Sequence, residues 1–133
     1  MASANNETQS STPSPLPRYQ PFLFPQTISE KLTSKNYLFW CSQVEPVIKG
    51  HKLHHFLLNP QIPQKYASVA DRDADRVSDE YADWEARDQL LLSWLHSTIS
   101  KEILPRIIGC KSSWELWDKI HNYFVTLANV KVR

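Results

Sequence analysis

Tyr81–Phe124, YADWEARDQLLLSWLHSTISKEILPRIIGCKSSWELWDKIHNYF, decides the fold of this 133-residue chain. Tyr81, Trp84, Leu91, Trp94 and Leu95 fall within helical spacing of one another, while Glu85, Arg87 and Gln89 stand mostly off that face. Asp88 lies between Trp84 and Leu91 on the inward side. Further on, Trp114, Trp117, Ile120, Phe124 and Leu127 recur every three or four residues and define a second apolar face. Four of the five tryptophans sit on these two faces, and burying each large apolar side chain contributes roughly 1.5–3 kcal/mol. Two amphipathic helices, joined by a shorter helical piece around Pro105 and Gly109, must therefore close on each other with the rest of the chain packed around them.

Working outward, Tyr37, Trp40, Val44, Val47 and Ile48 predict a helix over 36–49, with Ser34 or Asn36 as its cap, Gly50 as its stop and Pro46 inside it. A short helix over 52–58 would present Leu53, Phe56 and Leu57. Residues 59–79, opened by two prolines and closed by alternating charges, read as an internal linker. The long helix is expected over 80–97, with Ser78 or Asp79 capping it. A short helix from Ser100 to near Gly109 would be bent in its middle by Pro105, and Ser112 or Ser113 caps the last helix. That last pattern still runs at Arg133, the sign of a truncated helix and of a fragment. At the other end, residues 1–20 are too poor in apolar side chains to offset their ordering entropy and read as a disordered tail. Phe22, Leu23 and Phe24, held between Pro21 and Pro25, form an extended apolar clip that either docks on the domain or binds a partner. The expected architecture is all-α: a bundle of about five helices over 21–133. Its core comprises Tyr37, Trp40, Val44, Trp84, Asp88, Leu91, Trp94, Leu95, Trp117, Ile120 and Phe124.

Composition narrows the function. A net charge of +1 gives no overall basic field for nucleic acid. Charge is uneven, with eight acidic and three basic residues over 71–88 and six basic and three acidic over 101–133, which reads as solvated faces. No apolar run approaches the ~20 residues of a membrane span, the N-terminus lacks a secretory pattern, and Ala2 stands where myristoylation needs glycine. Cys41 and Cys110 have no partner spacing and read as free thiols of a cytoplasmic protein.

Constellations of possible chemistry dissolve on inspection. His51, His54 and His55 have helical spacing but no accompanying cysteine or carboxylate ligand, so they read as surface histidines. Asp71, Asp73 and Asp75 open like a calcium loop, yet Arg76 and Ala82 occupy the positions that need Gly and Glu. Two glycines cannot build a phosphate loop, and no serine has a nucleophile motif around it. Asp88, an acid on an apolar face, calls for a hydrogen bond, an ion pair or a helix N-terminus rather than a substrate. The reading is a non-catalytic protein with no cofactor, metal or small-molecule substrate.

Several short motifs follow one another in order: Lys31-Leu32 with Asn36-Tyr37 and Trp40, Gly50-His51 with Leu53, and Trp84 followed by Asp88–Leu95. Ile103–Cys110 and Glu115–Trp117 complete the series. Together, over residues 27–128, they resemble the Gag polyprotein of plant copia-type LTR retrotransposons. The resemblance implies the N-terminal, capsid-like part of Gag, which self-associates with other Gag chains. Element RNA would be a partner only if a C-terminal zinc knuckle, missing here, were present in a longer product. The alternative is a domesticated helical adaptor that holds a host peptide or protein in an interhelical groove.

Overall fold

The computed structural model describes residues 27–132, with side chains through residue 128. The expected tail (1–20) and the Phe22–Phe24 clip lie outside the described residues. Five α-helices and one 3-10 turn make up the described chain, with no strand in it, so the all-α expectation of about five helices holds.

The lead-in is tied down before any helix starts. Asn36 Oδ1 accepts the Thr33 N–H at 2.7 Å while its Nδ2 donates to the Lys31 carbonyl at 2.9 Å. The Asn36 side chain is thus spent on folding the 31–36 turn and does not cap the helix that follows. In that turn Leu32 is fully buried and makes a single parallel bridge with Ile99, through Leu32 N to the Thr98 carbonyl (2.8 Å) and Ser100 N to the Leu32 carbonyl (3.0 Å).

Helix α1 (Tyr37–Gly50) runs unbroken through Pro46 and buries Trp40, Val44 and Ile48. Its end differs from the sequence expectation. The left-handed residue is Lys52 (φ 59°), not Gly50, with Lys52 N bonded to the Lys49 carbonyl and Leu53 N to the Ile48 carbonyl. This is a Schellman termination, and Ile48 and Leu53, the apolar pair expected across it, both belong to the core. The expected helix over 52–58 shortens to a 3-10 turn, His54–Phe56, flanked by buried Leu53 and Leu57.

Residues 59–78 fold back on themselves. Helix α2 (Val69–Asp73) is capped by the Ser68 hydroxyl, which accepts from Asp71 N. Asp75 takes the left-handed position after it (φ 54°), and Tyr66 donates to the Asp75 carboxylate at 2.6 Å. Ser78 closes the loop by donating from N to the Lys65 carbonyl and from Oγ to the Gln64 carbonyl, each at 2.7 Å. The same Oγ accepts from Tyr81 N, so one serine both ends the loop and caps α3 (Asp79–Ser97).

Helix α3 buries Asp88, Leu91, Leu92 and Leu95. After the bridge at Ile99, α4 (Leu104–Ile107) carries Pro105 in its first turn, where its missing N–H costs nothing. Pro105 therefore starts this helix instead of bending its middle. Gly109 follows with φ 100°, a conformation that L side chains avoid, although a Cβ there would meet nothing within 4 Å. Helix α5 (Ser113–Val132) begins behind Ser112, whose carbonyl accepts from Leu116 N and whose hydroxyl accepts from Glu115 N, while Glu115 reaches back to Lys111 N.

One apolar cluster joins α1, the Leu53–Leu57 corner, α3, α4 and α5. Trp40, fully buried, sits at its centre: its indole Nε1 donates to Thr98 O (3.1 Å) and Oγ1 (3.2 Å), and its ring lies 5.8 Å from that of Trp117. Buried Trp is stable only where its N–H finds an acceptor, and the turn at Thr98 supplies two.

Candidate functional site

Of the eleven residues assigned to the core by sequence, Trp40, Val44, Asp88, Leu91, Leu95, Trp117, Ile120 and Phe124 are buried. Tyr37 and Trp94 are half-buried and pack against the cluster from its edge. Trp84 stands outside the cluster. It is half-buried, stacked 6.0 Å from Phe56 and tilted 5.8 Å from Tyr81, in the part of α3 before its first fully buried residue, Asp88. Trp114 is also half-buried and off the cluster, whereas Leu116, which the expected face omits, is fully buried in it.

Asp88 meets the N-terminus of α5. Its Oδ1 accepts from Ser113 N at 3.1 Å, its Oδ2 from Gln89 Nε2 at 3.3 Å, and its own carbonyl accepts from Ser113 Oγ at 2.8 Å. Burial pushes the carboxyl above its ordinary range, opposed by the Ser113 and Gln89 donors. Gln89 Nε2 also donates to the Lys111 carbonyl at 2.9 Å, so two adjacent residues of α3 hold the loop that launches α5.

The two cysteines are not activated. Burial raises the Cys41 and Cys110 thiols, which disfavours the reactive thiolate, and it raises the Tyr37 phenol in the same way. His51 Nδ1 lies 2.9 Å from the Val47 carbonyl, and the rings of His54 and His55 are 4.1 Å apart. Among the described residues no three His, Cys, Asp or Glu side chains converge as a metal site. No helix among them is long and apolar enough to cross a membrane.

The surface does carry hollows with large apolar residues in their lining. A groove of about 660 Å³ runs between the first turn of α1 and the later turns of α5, lined by Glu30, Ser34, Lys35, Asn36, Tyr37, Leu38, Phe39, Phe124, Leu127 and Ala128. Its floor is aromatic, with Tyr37 stacked on Phe124 at 4.5 Å and edge-on to His121 at 5.5 Å. Leu38 is 80% exposed there, and Val125 of α5, which is not part of the groove's lining, is 56% exposed. A smaller hollow of about 240 Å³ lies between α1, the 3-10 corner and α5, and includes Leu57, Leu58, Trp117 and His121. Ile108 forms a separate knob, 73% exposed, just before Gly109. Periodicity alone passes over Leu38 and Phe39, but the run Tyr37-Leu38-Phe39-Trp40 contains the signal. Four successive apolar residues cannot share one face of a helix, so two of them must point outward.

No protein-family model matches the chain, and no solved structure matches it. Among curated proteins it is similar to the retrovirus-related Pol polyproteins from transposons RE2 and RE1 of Arabidopsis thaliana. Each is 29% identical over 94 residues, which is 71% of this chain and 6% of the relative. The chain thus spans about 6% of the length of the curated relatives it matches, and the similarity supports a retrotransposon origin.

Proposed function

We propose that residues 21–133 form a Gag-derived, capsid-like domain of a copia-type element, a non-catalytic module that associates with copies of itself and with other Gag chains. The observation that carries this reading is the division of labour between polar and apolar side chains. The best-placed polar groups, Asn36, Ser78, Asp88 and Ser112, are all consumed by turns and helix starts. Among charged and polar neighbours, the surface also leaves large apolar side chains exposed, Leu38, Phe39, Leu58, Ile108 and Val125 among them. Such a surface suits protein contact. The resemblance of the ordered motifs and the similarity to retrotransposon polyproteins support the same origin for the domain. Element RNA would join this assembly only through a zinc knuckle in a longer product, and the expected setting is the cytoplasm.

Static light scattering of the purified chain over a wide concentration range tests the proposal, since association makes the mean mass depend on concentration. Ordered oligomers that grow with concentration are the expected result. A strict monomer at the highest concentration would count against the capsid-like role and favour the peptide-holding adaptor.

A further inference from the structure

We propose that the hollow between α1, the 3-10 corner and α5 receives one large apolar side chain from an acidic segment of a partner protein. This goes beyond the association reading and holds whether or not the chain associates with itself. The hollow is built in two parts. Ile48, Leu57 and Trp117, each no more than 7% exposed, make an apolar floor, and Leu58 stands at its lip, 61% exposed. Glu45, Lys49, His54 and His121 complete the lining. The volume of about 240 Å³ falls below the ~300–1,000 Å³ of sites that enclose a whole small molecule, and it suits a single side chain.

Charge selects the partner. The run from Lys49 to His55 holds two lysines, three histidines and no acid. Lys49 and Lys52 are exposed, and neither has a carboxylate within ion-pair distance among the described residues. Glu45, one helical turn before Lys49, is the single acid in the hollow's lining, so the two lysines leave the corner net positive. An acidic segment is steered to such a rim, while the apolar anchor on the floor supplies most of the affinity. A nucleic acid fits the charge but not the floor. Base stacking needs an open ring face, whereas Trp117 is 6% exposed and packs against the rings of Trp40 (5.8 Å) and His121 (5.0 Å).

Fluorescence anisotropy of labelled probes titrated with the full chain tests this. The first probe is a short peptide of aspartates and glutamates around one phenylalanine. The others are its twin with alanine at that place, its twin with lysines for the acids, and a single-stranded RNA oligonucleotide. The acidic phenylalanine peptide should bind saturably and about tenfold or more tighter than each of the others. Leu58→Ser should shrink the preference for phenylalanine over alanine, the sign that the two side chains touch. Lys49→Glu should weaken the acidic peptide by about fivefold, and Ile108→Ser, exposed but outside the hollow, should change neither reading. All three variants should melt with the wild type, since each replaces an exposed side chain. No saturable binding of the first peptide overturns the proposal, as does equal binding of its alanine twin or of the RNA. An unchanged preference in Leu58→Ser overturns it too. Should that variant melt early, Lys49→Glu decides alone, and undiminished affinity there refutes the assignment.

Discussion

Asp88 offers the most discriminating perturbation of the fold. Its carboxylate is 1% exposed, yet its nearest partners are a backbone N–H and an amide rather than a cation. Asp88→Ala leaves Ser113 N and Gln89 Nε2 without that acceptor in a buried site, and losing hydrogen bonds to a charged group costs about 2–3 kcal/mol. Asp88→Asn keeps an oxygen for Ser113 N but opposes two amide donors at Gln89, a smaller cost of about 1 kcal/mol. The pH dependence separates burial from hydrogen bonding. Because burial raises the carboxyl's pKa in the folded state, the folded chain holds its proton to a higher pH than the unfolded chain does. Between the ordinary carboxyl value and the raised one, the unfolded state binds fewer protons, so the wild type loses stability as pH rises through that window and levels off above it. The Asn variant has no such titration. Urea unfolding at a series of pH values, read as the midpoint at constant m, should therefore show the gap between wild type and Asp88→Asn narrowing from acid toward neutral pH. A gap that widens over the same range would mean that the Ser113 and Gln89 donors outweigh desolvation, and the burial argument would fall.

Trp40 and Trp84, both expected in the core from the sequence, should separate sharply. Trp40→Ala removes a fully buried ring and the indole bonds to Thr98, and should cost about 3–5 kcal/mol in chemical unfolding. Trp84→Ala, which loses half-exposed stacking on Phe56 and Tyr81, should cost about 1–2 kcal/mol, and equal losses would place Trp84 back in the core. At the left-handed positions the effects have opposite signs. Lys52→Gly relieves a strained exposed residue and should raise the melting temperature, by about 0.5–1 kcal/mol of stability, whereas Gly109→Ala should lower stability by about 1–2 kcal/mol despite open space around its Cβ. A stabilising Gly109→Ala would show that the turn after α4 tolerates rearrangement.

Helical periodicity exposes α1, α3 and α5 in the sequence because burial repeats with the helix: Trp40, Val44 and Ile48, then Asp88, Leu91 and Leu95, then Trp117, Ile120 and Phe124. The same signal misplaces Trp84 and Trp114, since a repeat says which residues share a face and not how far the partner helices extend over it. The contacts that lock the helices together have no period at all. Trp40 and Asp88 each announce a need, an acceptor for an indole and donors for a buried acid, but Thr98 and Ser113 are selected by a chain path that local pattern does not carry. Helix ends fail for a related reason. Gly50 is the residue best suited to a stop, yet the chain turns at Lys52 because the register that puts Leu53 against Ile48 gains more from burial than a left-handed lysine loses in strain. The outward pair Leu38 and Phe39 shows the reverse case, legible without any structure. A helix whose first turn directs Tyr37 and Trp40 toward the core, yet carries two further large apolar residues between them, leaves Leu38 and Phe39 exposed. That surplus is costly in water unless something covers it, and so it belongs with the contacts the domain makes rather than with the stability of the domain itself.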